Sequence, residues 1–267
     1  LSDLLEFAGD GWNSVWKFPL PVAEKETTPD AIPAGALNGP VREVAFYLDS
    51  YDSAVREVDR GIGMIWDWLS ARDLADDTLF VVASLHGEAL GEHGYWFSHG
   101  WTLYEEELVV PLLIRAPGVL SVRDDMEKSW ASLLDVQPTI LSLLGLPVGP
   151  RRSRDGIDLA LLLRGSSSPP RRYLYAGLAS PPFPRAALGE FRFKMILVPP
   201  RPPTVTDQPD WPVARQREMY DLQGDALEAR DLERLRRTIA NELESWLQDT
   251  YPPWPGTPPA EDDSRRR

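Results

Sequence analysis

From Val44 the apolar positions of the chain recur at steps of three and four: Val44, Leu48, Tyr51, Val55, Val58, Ile62, Ile65 and Leu69. That period predicts one long amphipathic helix. Gly61 and Gly63 lie within it, where each weakens a helix by about 1 kcal/mol relative to Ala, and they suggest close packing on a sheet. A turn at Asp76-Asp77-Thr78 follows. Leu79-Phe80-Val81-Val82-Ala83-Ser84-Leu85 is then apolar almost throughout, which predicts a strand buried on both faces, as in a parallel sheet covered by helices. Val109–Arg115 predicts a second buried strand. Asp135 opens a short helix that closes at Gly145, with Pro138 in its first turn, and Asp158–Leu163 predicts another. Beyond residue 171 the pattern shortens. Arg171–Leu178, Phe183–Leu188, Phe191–Val198 and Glu218–Leu222 predict strands, and Leu227–Leu247 returns to a helical period through Leu232, Leu235, Ile239 and Leu243.

These elements divide the chain. Residues 1–40, broken by Pro19, Pro21, Pro29, Pro33 and Pro40, predict an irregular connection. Residues 41–170 predict an α/β domain, 171–250 a small antiparallel α+β subdomain, and 251–267 a disordered tail. No apolar run approaches the roughly 20 residues that span a bilayer.

Composition changes this picture in two places. The 267 residues include no cysteine, so a disulfide framework, a thiolate zinc site and a catalytic thiol are excluded within this chain. The net charge of −13 is unevenly placed: residues 1–150 hold 24 acids against 9 bases, and the remainder 17 against 19. The acidic part repels nucleic acid at long range, so no nucleic-acid partner is expected.

All three histidines, His86, His93 and His99, fall within SLHGEALGEHGYWFSHG at residues 84–100. In open α/β sheets, sites form past the carboxyl ends of strands, and His86 stands there. Imidazoles and carboxylates (Glu88, Glu92) in a glycine-rich segment suit a metal or an anionic substrate. The spacing matches neither H-E-x-x-H nor H-x-x-E-H.

The segment from Thr78 to Gly118, TLFVVASLHGEALGEHGYWFSHGWTLYEEELVVPLLIRAPG, resembles the sulfatases of the alkaline-phosphatase superfamily. Their pattern is a strand ending in S-D-H-G-E, then G-E-H-G, then H-G or K-G, T-x-Y-E-E, V-P-L-I and P-G. LLDVQPTILSLLGL resembles the family's D-x-x-P-T-x-L segment. DGIDLALLLRG, RAALGEFRFKMIL and EMYDLQGDALEARDL resemble its later parts.

The resemblance implies an α/β, three-layer alkaline-phosphatase-like fold, with a mainly parallel sheet between helices and a small α+β C-terminal subdomain. It implies metal-dependent hydrolysis of a small-molecule or glycan sulfate ester. It implies that His86 ligates a divalent cation, calcium in most of the family, and that His99 contacts the sulfate and protonates the leaving oxygen. His93, Tyr104 and Glu105 are implied to support the loop and the following helix, and Glu88 to make a turn contact. The family's formylglycine nucleophile, made from Cys or Ser in a C-x-P-x-R-like motif, and its first Asp-Asp pair have no counterpart here. Ser180-Pro-Pro-Phe-Pro-Arg185 is a near miss in another region. They are expected in an N-terminal half outside this sequence, so the chain by itself is expected to be inactive.

Leu85 stands where the family has a metal-binding Asp, and a Leu offers no oxygen to a cation that takes six or more. Three other readings stay open: a non-catalytic relative that binds an anionic partner, a phosphodiester or phosphonate hydrolase of the same superfamily, and a zinc hydrolase on His86, His93 and His99. Trp96, Phe97 and Trp101 flank His99 as pocket lining or as core.

Overall fold

A computed structural model of the chain describes residues 14–15, 43–120, 131–149, 156–165, 173–178, 185–189, 192–198 and 217–250. Most of the connection expected at 1–40, and the tail expected at 251–267, lie outside them. The chain divides into two compact units: residues 1–98 with 109–170, and residues 99–108 with 171–267.

In the first unit the elements are β1 (Ser14–Val15), α1 (Val44–Ser70), β2 (Phe80–Ala83), β3 (Ala89–Leu90), β4 (Trp96–Ser98), β5 (Leu112–Arg115), α3 (Val136–Leu143) and α4 (Ala160–Leu163). One short helix of the second unit, α2 (Glu105–Leu108), intervenes in sequence. β5 lies between β1 and β2 and is antiparallel to both. The strand expected at 79–85 is thus shorter than its apolar run and paired antiparallel. It is also only partly buried, with Ala83 exposed.

Strand alternation explains its two faces. Phe80 and its cross-strand partner Arg115 face α1, where both meet Trp66: Phe80 edge-on at 5.9 Å between ring centroids, Arg115 with its guanidinium 4.6 Å above the ring. Val81 and its partner Ile114 turn the other way, into a core of Leu112 from β5, Leu143 from α3, Leu163 from α4 and Leu159 just before it. The sheet therefore has helices on both faces.

α1 forms as the periodicity predicts, but the stripe it turns inward is rotated from the predicted one. Val55, Asp59, Ile62, Trp66 and Leu69 are half-buried, while Val58 and Ile65 are exposed. No heavy atom beyond its own helix lies within 4 Å of a Cβ built on Gly61, so no close sheet contact demands that glycine.

Asp135 and Thr139 explain the D-x-x-P-T segment. Both are fully buried. Asp135 accepts the backbone N–H groups of Ser132 and Ile157, at 2.7 and 2.8 Å, and the Thr139 hydroxyl accepts that of Leu159 at 2.9 Å. Two of the segments that carry the family resemblance, LLDVQPT and DGIDL, are thereby clamped together.

The second unit holds the antiparallel sheet β6 (Tyr173–Gly177), β7 (Arg185–Gly189), β8 (Phe193–Leu197) and β9 (Arg217–Asp221), in that order, with α5 (Arg237–Thr250). Alternation again sorts the faces. Met195, Leu197 and Met219 pack on Ala240, Leu243 and Leu247 of α5, while Ile196, Val198 and Tyr220 pack on Leu103 of the 99–108 segment.

The helix expected from Leu227 starts only at Arg237. Asp225 accepts the N–H groups of Ala229 and Arg230, Asp231 accepts those of Met219 and Glu233, and Glu228 takes a left-handed φ of 52°. Short acidic side chains compete with the helix for backbone donors here, and the turns win.

Candidate functional site

The histidine-rich stretch begins as β2 ends. The Ser84 N–H reaches the Pro111 carbonyl at 3.4 Å, continuing the ladder one step, and its hydroxyl donates to the His86 carbonyl at 2.8 Å. Leu85 and His86 then leave the sheet, both exposed, with Leu85 85% exposed. The imidazole Nδ1 of His86 lies 2.8 Å from the Gly87 carbonyl, so it donates there and leaves Nε2 as the acceptor nitrogen of the neutral ring. Within the same unit, a ring nitrogen of His86 and a carboxylate oxygen of Glu88 lie within 4.8 Å of each other. Glu88 is also near enough to Tyr51 on α1 to act on it: burial first, then the Glu88 charge, raises the Tyr51 phenol above its ordinary value.

β3 and β4 form a two-stranded ribbon in which Ala89 pairs with Ser98. Glu88 and His99 are the residues that adjoin this rung in the chain. Between the strands, Glu92 accepts the Leu90 N–H at 2.6 Å, and His93, half-buried, takes a left-handed φ of 50°. Gly91, at φ 127°, exists for packing: a Cβ there would come within 2.7 Å of the Trp96 ring. Trp96 is buried, and Phe97 stacks on Tyr47 of α1 at 4.3 Å and 13°. Phe97 holds a φ of 49°, a strained conformation for a bulky residue. Of the three aromatic residues flanking His99, two are packed and Trp101 is exposed.

His99, exposed, opens the 99–108 segment of the second unit. The T-L-Y-E-E-E run that follows is tied side chain by side chain. Thr102 donates to Glu107 at 2.5 Å and Tyr104 to Glu218 at 2.7 Å, and Glu105 meets Lys194 at 2.8 Å. Lys194 is fully buried and also pairs with Glu228 at 2.7 Å, and Glu228 accepts the Glu105 N–H at 2.7 Å. Lys194, Glu218 and Tyr220 reach this segment because alternation puts them on the sheet face opposite α5.

Burial, and then Glu105, push the Glu228 carboxyl up to about 7 against the pull of Lys194. Burial alone would lower the Lys194 ammonium, but Glu105 and Glu228 outweigh it and hold it above its ordinary range. Tyr220, which donates to Glu218 at 2.7 Å, is raised by burial and by that bond. The sequence placed Lys194, Glu218 and Glu228 in segments that resemble the family's later parts, but carried no signal for their partners, which lie far off in the chain.

With that geometry in view, a family model described as Sulfatase matches residues 19–146. Choline-sulfatase of Rhizobium meliloti (strain 1021) is 29% identical over 185 residues, which are 68% of this chain and 32% of that protein. The chain is similar to the sulfatases of the alkaline-phosphatase-like superfamily. Among solved structures, one holding its substrate D-glucosamine-2-N,6-O-disulfate is 25% identical with a TM-score of 0.57, covering 73% of this sulfatase-like chain and 38% of the other. A phosphonate monoester hydrolase from Silicibacter pomeroyi shares the fold at 23% identity and a TM-score of 0.58, over 85% and 46%. This sulfatase-like chain thus spans about a third of the length of the choline-sulfatase it matches.

A divalent metal is general in the family, and the donors here fit one in part. The nitrogen–oxygen pair of His86 and Glu88 is suitable in kind. The side chain at position 85 adds no donor atom.

Proposed function

We propose that this chain is part of a hydrolase of sulfate esters, small-molecule or glycan. The observation that carries the reading is the placement of two imidazoles in the matched motif. His86 and His99 stand exposed immediately past the ends of β2 and β4, whereas His93 is half-buried in the turn between.

His86 would hold a divalent cation, calcium by resemblance, through the ring nitrogen not engaged with Gly87. When bound, such a cation withdraws charge from the sulfate oxygens. His99 would contact the sulfate and, as imidazolium, deliver its proton to the leaving ester oxygen. The formylglycine nucleophile of the family would come from outside this sequence, so the chain alone would not turn over.

The test is hydrolysis of aryl sulfate, phosphodiester and phosphonate esters in parallel by the full-length gene product. Sulfate turnover that falls by about 10²–10⁴ in His99→Ala is expected. Unchanged turnover in that variant removes His99 from the chemistry, and turnover of phosphonate alone replaces the reaction.

A second reading rests on Leu85. Its 85% exposure leaves an apolar side chain where the family has a carboxylate, which favours a non-catalytic relative that binds a sulfated partner. Leu85→Asp separates the two. In the enzyme reading it raises calcium affinity, measured by titration calorimetry, by about tenfold or more. Unchanged affinity would count against a metal at this place.

A further inference from the structure

Glu107 has no role in the reading above, and its side chain does something a helix residue seldom does. It is 5% exposed. Its Oε2 accepts the backbone N–H of Gly100 at 2.6 Å, and its Oε1 accepts the Thr102 hydroxyl at 2.5 Å. That N–H belongs to the peptide joining His99 to Gly100, and Gly100 has a φ of +82°, the left-handed region that an L side chain rarely adopts. One buried carboxylate therefore grips the peptide plane on the carboxyl side of His99, seven residues back along the chain. Hydrogen bonds to an ionised acceptor are the strong class.

The grip has a rigid base. Glu107 sits on α2, whose start is fixed by Tyr104 to Glu218, by Glu105 to Lys194, and by the Glu105 N–H to Glu228. These partners lie on β8, on β9 and in the turn before α5. The sheet thus holds α2, and α2 holds the peptide after His99.

We propose that Glu107 is the positioning residue for His99: it sets ψ of His99 and φ of Gly100, and so presents the imidazole in one orientation. The proposal rests on the reading of His99 as the sulfate contact. A carboxylate suits the task because both facing groups are donors. Glutamine can replace it at modest loss, since its carbonyl can accept from Gly100 while the Thr102 hydroxyl rotates to accept from its amide. Alanine removes both acceptors and leaves the Gly100 N–H and the Thr102 hydroxyl without them.

Nuclear magnetic resonance on the 267-residue chain tests this, because three histidines give three resolvable ring systems. The readouts are the His99 Hα–Hβ couplings, which report a single χ1 rotamer or an average, and the exchange rate of the Gly100 amide. In Glu107→Ala the couplings should become averaged and Gly100 exchange should accelerate about tenfold or more. The His86 and His93 rings should stay in place, and Glu107→Gln should restore the wild-type pattern.

Single-rotamer couplings that persist in Glu107→Ala while Gly100 exchange accelerates would overturn the proposal, because the carboxylate then ties only its own turn. Averaged couplings in the wild type would overturn it too. Should the alanine variant not fold, Thr102→Val removes one of the two bonds with little change of shape, and unmoved His99 couplings in it overturn the proposal equally. Sodium sulfate added to the wild type probes the function separately. If sulfate leaves the His99 ring resonances unmoved, the sulfate contact fails while the Glu107 result stands.

Discussion

Single residues in the first unit show how much of a family motif is carried by hydrogen bonds to the backbone. Asp135 answers two N–H groups and Thr139 one, each side chain fully buried. Removing an acceptor while its donor stays buried costs the donor's desolvation. Thr139→Val keeps the shape and loses one bond, and is expected to cost about 1–2 kcal/mol; Asp135→Ala loses two and is expected to cost about 3 kcal/mol. Urea unfolding measures both, and a Thr139→Val loss under about 0.5 kcal/mol would show that the Leu159 N–H finds water instead. Gly156, beside Ile157, belongs to the same clamp: a Cβ there would stand 1.8 Å from the Leu134 carbonyl oxygen, so only glycine lets the two segments meet. The sequence showed that Asp135 and Thr139 belong to a motif. It could not show that their partners lie 22 and 20 residues on.

At the scale of elements, local pattern and tertiary contact compete. α1 was legible because 27 residues of amphipathic period leave little alternative. Which stripe faces inward was not, because that depends on where Phe80 and Arg115 offer a surface to Trp66. Val58, Met64, Ile65 and Trp68 remain more than half exposed. Gly61 is a helix-interior glycine with nothing near its Cβ position, so Gly61→Ala should raise stability by about 0.5–1 kcal/mol, read as a higher urea midpoint at unchanged slope. A loss instead would reveal a close neighbour for that face. α5 was the opposite case: an apolar period suggested a helix from Leu227, but Asp225 and Asp231 drew the backbone donors into turns and delayed it ten residues.

At the scale of the molecule, the buried group Lys194, Glu105 and Glu228, with a Glu106 oxygen within 4.8 Å of one of Glu228, makes stability depend on pH. Glu228 titrates at about 7 in the fold against an ordinary 4.5. Between those values the folded chain holds more protons at this site than the unfolded one, so stability falls as pH rises from about 4.5 to about 7 and the loss is complete above. Lys194, held above its ordinary 10.5, contributes stability that is constant across this window and lost only at higher pH. The stability of the wild type relative to Glu228→Gln should therefore drop on the order of 1–3 kcal/mol between pH 5 and pH 7.5 in urea unfolding. Parallel profiles would mean that Glu228 is ionised throughout.

The sequence by itself determined α1, the longer strands, the sulfatase-like motif and the candidate imidazoles, because periodicity and short spacing are local properties of the chain; the short β1, β3, β4 and α2 it did not show. The tertiary structure alone decided what each residue of the T-L-Y-E-E-E run holds. Lys194 stands 89 residues from Glu105, Glu218 stands 114 from Tyr104, and the Glu228 carboxylate reaches the Glu105 N–H across 123. A buried charge takes whichever partner the folded backbone brings within about 3 Å, and no local pattern encodes that distance.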